Sequence, residues 1–136
     1  MKEIVIAGLT TIPSSFGSTE TTDRIENAVR EKGLTIFSRI DHATGAADVG
    51  LPLRPTTLLI FGNARGGTPL MQAGQTAGIE LPLKVLVWKD AASKTWISYN
   101  EPSWIAQGHG LTNVDPVVDK ITALLRAVTA KAAGNQ

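Results

Sequence analysis

From Leu34 to His42 apolar and polar positions alternate: Leu34, Ile36, Ser38, Ile40 and His42 fall on one side, Thr35, Phe37, Arg39 and Asp41 on the other. That period of two predicts a strand with one buried face. Leu58-Leu59-Ile60-Phe61 and Val85-Leu86-Val87-Trp88 are apolar at every position. Strands over Thr56–Asn63 and Lys84–Trp88 should therefore be covered on both faces. A first strand is expected at Glu3–Thr10 and a last one at Thr95–Tyr99, after a hairpin connection at Lys89–Lys94.

Helical spacing appears in two long stretches. Ile25, Ala28 and Val29 make an apolar stripe over Thr19–Lys32, with Ser18 or Thr19 as cap and Gly33 as stop. Glu20 to Arg24 and Glu26 to Arg30 are spaced to pair on its wet face. Val117, Ile121, Leu124 and Val128 mark a second helix over Pro116–Ala133, with Asp115 as cap. Shorter helical turns are expected at Ala43–Val49, from Thr68-Pro69 to Gly74, and after Glu101-Pro102, the last ended by Gly108-His109-Gly110. The order is strand, helix, four strands, helix. It predicts an α+β fold with a mainly antiparallel sheet and helices on one face.

The 136 residues fit a single domain, 1–136. Thirteen Lys and Arg stand against twelve Asp and Glu, so the basic excess of a duplex-binding protein is missing and no nucleic-acid partner is expected. The absence of cysteine excludes disulfides, thiolate metal sites and cysteine nucleophiles. With two histidines and no ligand spacing around them, no metal or other cofactor is expected. The apolar run Ile4–Leu9 is too short for a signal peptide, and no stretch reaches bilayer length. A cytoplasmic protein without a membrane partner is the expectation.

Several motifs carry a resemblance. They are Lys32-Gly33-Leu34-Thr35-Ile36-Phe37 running to Asp41-His42, then Arg54-Pro55-Thr56-Thr57-Leu58-Leu59-Ile60-Phe61-Gly62-Asn63, and Gly67-Thr68-Pro69-Leu70-Met71. Leu81 to Trp88, and Trp96-Ile97-Ser98-Tyr99-Asn100 with Pro102, complete the set. In order and spacing the chain resembles the bacterial and archaeal domain-of-unknown-function family numbered 302 over about residues 18–126. The resemblance implies a TATA-binding-protein-like arrangement and a small homodimer, and it implies no established activity. The family often has Pro after Gly-Asn, where this chain has Ala64-Arg65. Such a fold does not by itself imply DNA binding.

Candidate chemistry is sparse. Gly62-Asn63-Ala64-Arg65-Gly66-Gly67-Thr68 nearly matches a phosphate-binding loop, but Thr68 stands where the lysine should be. Weak anion binding or a plain turn are the readings left. His42 is the last inward position of an otherwise apolar strand face, where an imidazole needs a partner or a polar cavity. It is expected to line a cavity with Asn63 and with Thr68 or Tyr99. The alternative is a structural histidine at a strand end. Three functions follow: a homodimeric module binding a small molecule; a cofactor-independent enzyme using His42 as acid or base with Asn63, Tyr99 or Asp48; or a purely structural, partner-binding domain.

Overall fold

A computed structural model describes residues 5–135. Five strands form one antiparallel sheet: β1 (Leu9–Pro13), β2 (Thr35–Asp41), β3 (Thr56–Gly62), β4 (Leu83–Lys89) and β5 (Thr95–Asn100), in the spatial order β1-β5-β4-β3-β2. The helices are α1 (Ser18–Glu31), α2 (His42–Asp48), α3 (Ala64–Ala73), α4 (Pro102–Gly108) and α5 (Asp115–Ala133), with a 3-10 helix at Gln75–Glu80. The α+β class and the antiparallel sheet stand as the sequence predicts.

Alternation along the central strands shows where the core lies. Leu59, Phe61, Val85, Val87 and Ile97 are fully buried under α1 and α5, where they meet Ile25, Val29, Leu125 and Val128. Leu58, Ile60, Leu86 and Trp88 point to the other face and are only half-buried. Among the described residues that second face carries no helix layer. The expectation that both faces of these strands are covered is met on one side only.

The first strand lies later than expected. It begins at Leu9, while Val5 and Ile6 are exposed, and Glu3 and Ile4 lie outside the described residues. Its partner β5 ends at Asn100, opposite Leu9, and Ile6 makes only an isolated antiparallel bridge back to Leu9. Gly8 turns the chain there at φ 75°, and its carbonyl accepts from the Glu101 amide.

Capping also departs from expectation. Gly17 rather than Ser18 or Thr19 precedes α1, and Val114 rather than Asp115 precedes α5, neither with a side-chain cap bond. Glu26 pairs with Arg30 at 3.6 Å as spaced. Arg24 turns from Glu20 to the C-terminal carbonyls of α5, donating to Ala132 and Lys131. Cations are favoured at that end of a helix. The α5 stripe is turned by one residue: Val118, Ile121, Leu125 and Val128 are buried, while Val117 and Leu124 sit at its edge.

The largest departure is a β-bulge in β2. Ile36 pairs with Phe61 and Ser38 with Ile60, leaving Phe37 as the extra residue. One inserted residue reverses every later side chain. Ser38 and Ile40 therefore join the open face. Arg39 joins Ile36 beneath the helices, where its Nη1 donates to Asp23 Oδ1 at 2.7 Å and lies 3.5 Å from Glu26 Oε2.

Candidate functional site

The glycine-rich stretch is helical. Asn63 caps α3, its Oδ1 accepting from the Gly66 amide at 2.7 Å, so Gly66 and Gly67 lie in the first turns and Pro69 falls inside the helix. Thr68 and Pro69 do not start it. The cap bond draws chain that reads as a loop into the helix. The segment is thus a capped helix start and not an open phosphate-cradling loop. Gly62, at φ 154°, makes the bend between β3 and the cap, a conformation that favours glycine.

Behind α3 lies a cavity of about 290 Å³. Leu34 and Phe37 close its β2 side, Leu81, Pro82 and Leu83 its β4 side, and Ile121 and Leu124 of α5 form another wall. Met71, Gly78 and the first turns of α3 also line it, with Asn63 and Thr68 as its polar side chains. Among the described residues no Lys, Arg, Asp, Glu or His lines it. The bulge matters here, because the residue it ejects, Phe37, becomes part of the wall.

Of the residues expected together, Asn63 and Thr68 share this cavity, and His42 and Tyr99 do not line it. His42 corrects the parity argument. Counted through the bulge, the strand no longer carries it inward, and β2 ends at Asp41, which caps α2 by accepting from the Thr44 amide at 2.9 Å. His42 is thus the first residue of a short exposed helix. Asp48 is exposed at the far end of that helix. The Thr44 amide also holds the Asp41 carboxyl below its usual range.

Tyr99 is 4% exposed, on the helix-covered face. Burial raises its phenol above the ordinary value and the Glu101 carboxylate adds to that, while Arg126 and Thr129 act in the opposite sense. A buried phenol favoured in its neutral form is a packing group with a satisfied tip.

The histidine with partners is His109. Its Nδ1 lies 2.9 Å from Thr76 Oγ1 and its Nε2 lies 3.1 Å from Glu80 Oε2. Thr76 and Glu80 stand 33 and 29 positions away in sequence, and no spacing rule joins them to a histidine between glycines. Nor does periodicity reveal Phe37, Leu81 or Leu124 as cavity walls. Among the described residues no group of three His, Cys, Asp or Glu side chains is placed to hold a metal, and no helix is long and apolar enough to cross a membrane.

Known proteins match this chain in sequence or in fold. The "Fluoride-specific ion channel FluC 1" of Brucella suis biovar 1 (strain 1330) is 39% identical over 136 residues, covering 99% of this chain and 54% of that protein. The protein of the same name from Brucella abortus biovar 1 (strain 9-941) is also 39% identical, with 50% of it covered. The chain therefore spans about half the length of the curated relatives it matches. A crystal structure of an uncharacterized conserved protein from Bacillus stearothermophilus superimposes with a TM-score of 0.84 at 19% identity, covering 93% of this chain and 99% of that one. That likeness establishes the fold. Residues 10–130 match the family described as "Domain of unknown function DUF302", and the chain belongs to that family.

Proposed function

We propose that this chain is a small homodimeric binding module whose ligand, small, neutral and mostly apolar, occupies the cavity behind α3. The uncharged lining carries this reading. A charged ligand would lose its hydration there and gain no counter-charge. An apolar cavity of about 150 Å³ takes up benzene, and this one is nearly twice as large at about 290 Å³. It suits a fused bicyclic ring or a short branched chain, with Asn63 and Thr68 as the orienting polar contacts. Indole tests this: it should raise the melting temperature in a dose-dependent way. Leu124→Trp, which fills the cavity from α5, should abolish the response and keep the fold. No response at roughly millimolar indole, near the weak end of measurable binding, or an equal response in Leu124→Trp, rejects the reading.

The dimer is supported by the open face of the sheet. Ile40, Leu58, Ile60, Leu86 and Trp88 gather there without a helix above them. A cluster of partly exposed apolar side chains on one face supports a protein contact, and two-fold pairing of identical faces is its commonest form.

One observation favours a second reading. The matched relatives are named as ion channels, and this chain corresponds to about half of each. With no membrane-crossing helix among the described residues, the pore would belong to the other half, and this domain would respond to a ligand on its behalf. Filling the equivalent cavity in such a relative should change its fluoride flux. Unchanged flux rejects this reading.

A further inference from the structure

The bonds around His109 decide where its proton sits. An ionised carboxylate only accepts, so in the neutral imidazole the hydrogen stands on Nε2 and is donated to Glu80 Oε2 at 3.1 Å. Nδ1 is then a bare lone pair, and the Thr76 hydroxyl, 2.9 Å away, is the donor. A hydroxyl that donates to an imidazole held from behind by a carboxylate is the arrangement that activates an oxygen nucleophile. The accessibilities suit that order. Thr76 is exposed, whereas only 16% of the His109 side chain is accessible. The oxygen faces solvent and its base is held behind it.

We propose that Thr76, His109 and Glu80 form an acyl-transfer site for small activated esters and thioesters. Thr76 Oγ1 attacks the carbonyl carbon, its proton passes to His109 Nδ1, and the C=O electron pair moves onto the oxygen. When the carbonyl re-forms, the bond to the leaving group breaks, and the alcohol or thiol departs with the proton from Nδ1. Glu80 offsets the charge on the imidazolium between these steps. Water then cleaves the acyl-threonine by the same relay: it gives its proton to Nδ1, and Thr76 leaves as the hydroxyl. Base assistance of this kind contributes about 10²- to 10⁴-fold in rate, which suits substrates that already carry a good leaving group. The proposal is independent of the cavity behind α3, which neither Thr76, Glu80 nor His109 lines.

The test uses p-nitrophenyl acetate on the whole chain. The expected result is a burst of about one equivalent of p-nitrophenolate, as for any covalent acyl-enzyme, and one acetyl group mapped by peptide mass spectrometry to Thr76. Thr76→Ala should remove that label with the melting temperature unchanged, since the side chain is exposed. Thr76→Ser should keep it. His109→Asn should slow labelling by about 100-fold, and Glu80→Gln by about tenfold or more. Acetylation confined to lysines and the N-terminus overturns the proposal, as does an unchanged Thr76 labelling rate in His109→Asn. If His109→Asn does not fold, Glu80→Gln decides, and an unchanged rate there overturns it equally.

Discussion

Arg39 of β2 reaches across to α1 and places Nη1 2.7 Å from Oδ1 of Asp23. It can do so only because Phe37 is bulged out of the ladder. In a regular strand Arg39 would face away from the helices, and Ile40 would take its place beneath them. The pair therefore reports the register of β2 as well as joining two elements.

Breaking it should cost little. About a third of the Arg39 side chain and over half of the Asp23 side chain are exposed (34% and 55%), and exposed pairs contribute about 0.2–1 kcal/mol. A double-mutant cycle of Arg39→Ala and Asp23→Ala should give a coupling energy in that range, shrinking as salt is raised. A salt-independent coupling would mean the pair is not solvent-screened.

Gly8→Ala should be more damaging. A Cβ there would lie 2.3 Å from the indole ring of Trp104, and φ is 75°. The left-handed conformation alone costs about 1–2 kcal/mol for a residue with a side chain. Urea denaturation should show at least that loss. A control at Gly33, which shares a positive φ but has open space around it, should show the conformational part alone.

Tyr99 gives the alkaline limit. Burial raises its pKa in the fold, so above the ordinary phenol value of about 10 the unfolded chain releases its proton first. The folded state then holds more protons than the unfolded one, and stability falls as pH rises through that window. Below it the phenol is neutral in both states and has no such effect. Tyr99→Phe should flatten the fall, measured as melting temperature between about pH 9 and 11, a range that brackets the phenol value.

Leu86→Glu tests the dimer. Leu86 lies on the open face, opposite Ser98 of β5 and Leu58 of β3. Wild type should sediment as a dimer at micromolar concentration and the variant as a folded monomer with an unchanged circular dichroism spectrum. A wild-type mass of 14.4 kDa in solution would contradict the dimer.

Local chemistry made much of this architecture legible. The apolar runs of β3 and β4, the Ile25-Ala28-Val29 stripe and the final helix with Pro116 in its first turn each follow from neighbours a few residues apart, and the strand–helix–four strands–helix order follows from them. Asn63 and Thr68 were readable as neighbours because they lie near one another along one segment. The bulge at Phe37 was not legible, since alternation before and after it looks continuous and only pairing with β3 reveals the slipped residue. That slip moved His42 off the inward path and Arg39 onto it. The partners of His109 and the far walls of the cavity come from segments brought together by packing on the sheet. Sequence by itself thus determined the elements, whose stability is decided within a few residues. The tertiary structure alone decided which side chains meet, because register and helix rotation are set by burial of the whole core, and one residue of either reverses or turns a face.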